Sequence, residues 1–268
     1  MASASSNPAF ANSPAFSQNA TKVAELRRPP TPEEIDAMYG RPSAGPATTD
    51  RMTYEDTIVK IAISFGILLV GAVVGWIVPI LFIPAGIIGF VLALVNIFKK
   101  QPSRGLVLAY AAVEGVFVGG VSRFYEGAYD GIVVQAVFGT LAVVGVTLVL
   151  FLNGKVRASK RATQVFLVAM VGYAAFSLVN LVLMWTNVTT TPFGLRDTQF
   201  LGMPLGFWLG ILVVFMAAYS LVLDFTSIKT GVERGAPRVY GWQAAFGIMV
   251  TVVWLYLEIL RLIAILRR

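Results

Sequence analysis

The sequence predicts an all-α integral membrane protein, a bundle of seven transmembrane helices preceded by a disordered tail. Three observations carry this. Of 268 residues, 57% are hydrophobic and 13% charged, where soluble domains are about half apolar and about a quarter charged. The apolar residues are gathered into runs such as Ile61 to Val78 and Leu205 to Leu223, and a run of about 18 or more reads as a bilayer span. The basic residues between the runs alternate in number from loop to loop, as a fixed membrane orientation requires.

Residues 1–56 are rich in Ala, Ser, Pro and Thr and echo themselves in SNPAF (Ser6 to Phe10) and NSPAF (Asn12 to Phe16). That composition buries too little apolar surface to repay ordering, so a disordered tail is expected. Only Pro32 to Tyr39, PEEIDAMY, has the makings of a helical turn or two. No basic stretch leads into a short apolar one before Thr57, so the tail is not read as a secretory signal and is placed in the cytoplasm.

In the 212 residues from Thr57 onward, seven apolar segments run approximately Ile58 to Pro79, Ile80 to Phe98, Gly105 to Phe124, Gly131 to Leu152, Thr163 to Trp185, Leu205 to Ile228 and Tyr240 to Leu266. Each approaches or exceeds the ~20 residues that cross about 30 Å of hydrocarbon. Pro79 and Pro84 leave a kinked or re-entrant hairpin as a competing reading of the first two. The charges favour seven crossings. With the tail inside, inner loops hold Lys99, Lys100, Arg104, Lys155, Arg157, Lys160, Arg161, Lys229, Arg234 and Arg238, and outer loops only Arg123 and Arg196. Arg267 and Arg268 are discordant at an outer C-terminus, and a seventh helix that stops short of crossing would remove the conflict. The GxxxG pairs Gly71 and Gly75, Gly115 and Gly119, and Gly206 and Gly210 point to close helix packing.

Neither Cys nor His occurs. That excludes disulfides, thiol nucleophiles, thiolate or imidazole metal sites and a Ser-His-Asp relay; no cofactor is expected, and a non-enzymatic role is favoured. The net charge of +7 divides unevenly: residues 1–56 carry 5 basic and 7 acidic groups, the rest 16 and 7. A basic membrane region fits topology signals and anionic lipid head groups, not nucleic acid.

Four ionisable side chains fall well within the spans: Glu114 in the third, Asp224 late in the sixth, and Glu258 and Arg261 in the seventh. Each costs on the order of 3 kcal/mol or more at the bilayer centre, so each is expected to face a partner or a wet cavity. Glu114 is either a protonated acid hydrogen-bonded to another helix or a cavity-lining relay. Asp224 shares a stripe with Ser220 and Ser227 toward the inner end, and either pairs with Lys229 at the interface or belongs to a gate. Glu258 and Arg261 are three residues apart, which permits an ion pair that either cements the bundle or gates it. Tyr173, Ser177 and Asn180 form a polar line on the fifth helix, read as interhelical hydrogen bonding.

LVLDFTSIKTG (Leu221 to Gly231), the terminal LYLEILRLIAIL (Leu255 to Leu266) and EGVFVGG (Glu114 to Gly120) together resemble the Bax inhibitor family, in its bacterial YccA-like branch. The NPAF tail is similar to that of actinobacterial members. The resemblance implies a central seventh helix wrapped by the other six, in a bacterial inner (plasma) membrane, with an acidic pair regulating a pH-sensitive calcium leak. Asp224 stands where the family has its sixth-helix aspartate. Glu258 replaces the usual seventh-helix aspartate, and Arg261 a neutral polar residue. The pair is also 34 residues apart, more than in better-known members, so direct contact between Asp224 and Glu258 is not expected and Glu114 is the nearer candidate partner of Glu258.

The expected function is therefore a proton-controlled pathway for calcium or another cation, with Asp224, Glu258, Glu114 and Arg261 as the gate. Calcium takes six to eight oxygens, so backbone, hydroxyls or water would complete weak sites. An intramembrane aspartyl protease is disfavoured because no GxGD occurs, and a retinal protein because the seventh helix has no lysine. The alternative is a non-transporting regulator that binds a membrane-bound protease, as the YccA-like resemblance suggests.

Overall fold

The computed structural model describes residues 50–267. Seven helices stand where apolar segments are expected: α1 Tyr54–Ile77, α2 Phe82–Phe98, α3 Arg104–Ala128, α4 Ile132–Leu152, α5 Lys160–Trp185, α6 Leu205–Glu233 and α7 Tyr240–Leu266. With the 3-10 turn Pro79–Leu81 counted with α2, each is long and apolar enough to cross a membrane. The tail as far as residue 49, PEEIDAMY included, lies outside the described residues. Residues 50–56, which the sequence reading includes in the tail, are structured. Met52 is buried, Thr53 caps α1 by accepting from Asp56 N at 3.2 Å, and Arg51 bridges Pro237.

The hairpin reading of the first two segments does not hold. α1 ends at Ile77, where Val78 N still closes on Val74 O at 2.9 Å, and Pro79 lacks the N–H to continue. The 3-10 turn reverses the chain and α2 returns. Gly71 and Gly75 of α1 lie against Ala112 and Val116 of α3, while Gly115 and Gly119 lie against Leu68 and Ala72. Matching increments on both helices make α1 and α3 parallel, so close that any Cβ at these glycines would overlap a backbone carbonyl. α2 runs the other way along α3, with Phe82 near Gly120, Phe117 near Gly86, and Asn96 Nδ2 donating to Leu106 O at 3.3 Å.

α7 is the centre. Nineteen of its 27 residues are buried, and α1, α3, α4 and α6 pack on it, with α2 outside against α3. The third glycine pair, Gly206 and Gly210 of α6, receives Ile265 and Leu262 of α7. By contrast only Thr163, Phe166 and Asn180 of the 26 residues in α5 are buried, so that helix sits at the rim. α7 also runs the full length of the bundle: Arg267 Nη1 donates to Asp130 O at 2.7 Å in the α3–α4 turn. The short seventh helix is thereby excluded, and Arg267 serves as a loop ligand at that end.

Two features were not expected. The α5–α6 connection contains a small hairpin, β1 Gln199–Phe200 with β2 Met203–Pro204, closed by Leu201 and Gly202 at φ 50° and 79°, the left-handed pair of a tight two-residue turn. At the end opposite Arg267, Asp56 ties α1 to the α6–α7 loop. Its Oδ1 accepts from Arg238 Nη2 at 2.7 Å and its Oδ2 pairs with Lys60 at 2.5 Å, while Lys60 Nζ also donates to Arg238 O at 2.6 Å. Lys60 is thus a further charged side chain of a span, buried by this clasp.

Candidate functional site

Polar chemistry inside the bundle collects at the end of α7 that the charge bias assigns to the outside. Glu258 is 3% exposed. Its Oε1 accepts from Arg261 Nη1 at 2.7 Å, one turn along α7, and from the Tyr173 hydroxyl of α5. Arg261 Nη1 also donates to that hydroxyl at 3.2 Å, and Arg196 Nη2 does so at 3.0 Å while donating to Ser177 Oγ at 3.2 Å. The Arg196 guanidinium lies 5.3 Å from the Tyr173 ring centroid and 5.6 Å from that of Phe176, a stacked arrangement favourable for a cation. One phenol therefore joins two guanidiniums and a carboxylate, from α5, α7 and the α5–α6 connection.

The line predicted on α5 faces this cluster throughout. Tyr173 meets Glu258, Ser177 meets Arg196, and Asn180 takes Leu195 N at 2.6 Å and gives to Phe193 O at 3.2 Å. It is this triplet that fastens the α5–α6 connection against the helices, leaving beside it a cavity of about 730 Å³ lined by residues of α3, α5, α7 and the connection. Glu258 Oε2 is buried and has no hydrogen-bond partner among the described residues.

Asp224 lies elsewhere. It is fully buried, and Thr251 of α7 donates to its Oδ2 at 2.7 Å. The expected interfacial position is corrected: α6 continues to Glu233 rather than ending at Ile228, so Asp224 is nine residues, roughly 14 Å, from the helix end. Lys229 pairs with Glu233 at 3.6 Å. Ser220 and Ser227, the stripe companions of Asp224, are buried with it. Thr251 precedes Glu258 by seven residues, so the two acids are separated by roughly 10 Å along α7, in accord with the expectation that they do not touch.

Glu114 is not the partner of Glu258. Tyr110 stacks edge-on against Phe246, centroids 5.0 Å apart, and Ser122 Oγ meets the Tyr256 hydroxyl at 2.7 Å, which fixes α3 and α7 in parallel register. On that register Glu114 sits about 13 Å short of Glu258 along the axis. Its carboxyl lies instead against Gly89 of α2, where an added Cβ would come within 2.9 Å of Glu114 Oε2, with the Tyr110 side chain beside it. The three acids thus occupy three separate settings, and only Glu258 and Arg261 of the four proposed gate residues meet. Among the described residues no group of three or more acids is placed to hold a metal ion. Arg196 is the residue that sequence reasoning missed: in TPFGLRDTQF it looks like an ordinary loop charge, and only its burial reveals its place.

With the geometry in hand, comparison with known proteins adds one match. A family model described as "Bax inhibitor 1 like" matches residues 7–268. No curated protein matches, and no solved structure matches.

Proposed function

The chain belongs to the Bax inhibitor 1-like family, and on that premise we propose that it is a proton-controlled cation leak, with calcium the ion that the family resemblance implies. The observation that carries the reading is Asp224: an acid with no exposure, nine residues inside the end of α6, hydrogen-bonded from α7, the helix on which the bundle is built. A carboxylate so placed is too costly to keep without a use, and intramembrane acids with such surroundings serve as proton or ion way-stations. Protonated, Asp224 can be satisfied by its neighbours and packs as a neutral group; ionised, it attracts a cation and water.

The Tyr173, Glu258, Arg261 and Arg196 cluster is the second part of the proposal. It closes the outer end by joining α5 to α7, and α5, the least buried helix, is the element free to move. Calcium flux into dye-loaded proteoliposomes, followed across the acidic to neutral range, tests the reading. Wild-type flux is expected to rise several-fold as protons are withdrawn, and Asp224→Asn to lose that dependence. Equal pH profiles for wild type and Asp224→Asn would refute it. Retained binding of a membrane protease by a variant with no flux would instead favour the regulator reading.

A further inference from the structure

We propose that the cavity between α3, α5 and α7 is a binding site for the phosphodiester of an anionic phospholipid, held by the Arg196 and Arg261 guanidiniums. The inference is independent of ion flux. It begins with a charge imbalance. Two guanidiniums and a single carboxylate, Glu258, line the cavity, and among the described residues Arg196 forms no ion pair although it is only 5% exposed. Its Nη2 donates to neutral hydroxyls, those of Tyr173 and Ser177. A guanidinium withdrawn from water and left without an anion is a costly arrangement, and the ordinary remedy is an anion.

The shape of the charge selects which one. The planar donor fork of arginine matches the oxygens of a phosphate or carboxylate. The lining sums to one positive charge, so a singly charged diester neutralises it, whereas inorganic phosphate, nearer two negative charges, would overshoot beside Glu258. About 730 Å³ is room for a head group. The remaining lining favours an amphiphile: Met184 and Phe193 border the charged end, and the rim carries Phe124 of α3 and Leu181 of α5, 70% and 62% exposed on faces the bundle turns to hydrocarbon. A diester beneath, with acyl chains leaving over Phe124 and Leu181, satisfies both halves.

The test is native mass spectrometry of the full chain in detergent, after incubation with equal amounts of phosphatidylglycerol and phosphatidylcholine of identical acyl chains. Wild type is expected to retain the anionic lipid about tenfold over the zwitterionic one, Arg196→Gln to retain both alike, and Arg196→Lys to fall between. Arg267→Gln, which removes an exposed charge from the same end, should leave the preference intact. Excess inorganic phosphate should not displace the lipid. Equal retention by wild type, an unchanged preference in Arg196→Gln, or an equal loss in Arg267→Gln would each overturn the proposal, and displacement by inorganic phosphate would replace it with an aqueous anion site. Should Arg196→Gln not fold, Ser177→Leu, which fills the cavity with the charges kept, must abolish the preference for the proposal to stand.

Discussion

Glu258→Gln is the sharpest test of how the cluster around Tyr173 is held. The wild-type cluster carries two guanidiniums and one carboxylate, and the substitution leaves two like charges sharing the Tyr173 hydroxyl. Removing one partner of a buried pair costs about 3 to 5 kcal/mol. The Arg261 side chain keeps 31% exposure against 4% for Glu258, which puts the expected loss at the lower end, about 3 kcal/mol. Arg261→Gln should cost less, about 1 kcal/mol, because Glu258 keeps the Tyr173 hydroxyl and Arg196 stands just beyond it. The double variant restores the original net charge, so its loss should be close to that of Arg261→Gln alone, a coupling of about 3 kcal/mol. Equilibrium unfolding in mixed detergent micelles measures all three. Equal costs for the two single variants, or an additive double, would show that charge balance does not govern this cluster.

Four further outcomes follow from the packing and the hydrogen bonds. Gly119→Leu should prevent assembly, because any Cβ there overlaps Ala72 of α1, whereas Gly66→Ala, with open space around it, should be neutral; fluorescence-detected size exclusion separates the two. Asp56→Ala should cost about 2 kcal/mol in the same unfolding assay, since Lys60, with its side chain 8% exposed, loses its carboxylate and keeps the Arg238 carbonyl and the face of the Trp242 ring. Thr251→Val leaves the shape but removes the donor to Asp224; a loss of about 1 to 3 kcal/mol is expected, and a loss near zero would mean the bond is immaterial. Hydrogen exchange should be fastest among the spans in the C-terminal half of α5, where Tyr173, Ser177 and Asn180 are the polar anchors, and slowest in α7; the reverse order would contradict the packing described.

What the sequence made legible follows the physics of each signal. Span number and approximate limits were readable because hydrocarbon demands length and apolarity of each segment separately, with no reference to its neighbours. Gly71, Gly75, Gly115 and Gly119 were readable as contacts, since small residues at helical spacing have meaning in one chain at a time; that α1 and α3 are each other's partners was not. The Glu258 to Arg261 pair is local and was anticipated. The supposed nearness of Glu114 to Glu258 failed because it required the relative height of two helices, which Tyr110, Phe246, Ser122 and Tyr256 set through contacts far apart in the chain. Arg196 failed for the same reason: a loop arginine and a buried one look alike until Asn180 folds the connection over it.

The charges at the two depths bear on one another. With no anionic lipid bound, a cation approaching Asp224 from the Glu258 end of α7 would meet a net positive lining first. At an effective dielectric near 20, one unit charge about 10 Å away opposes a monovalent cation by roughly 1.7 kcal/mol and a divalent one by roughly twice that. Arg196→Gln removes one such charge. On a path through this vestibule, it should raise monovalent flux by more than about tenfold and divalent flux by more than about a hundredfold, a difference that a general loosening of the bundle would not produce. Equal gains for both valences would mean that the substitution opens α5 and does not lower an electrostatic barrier. No gain for either would place the route away from the arginines, leaving the vestibule to its anion and Asp224 to some other approach from the inner side.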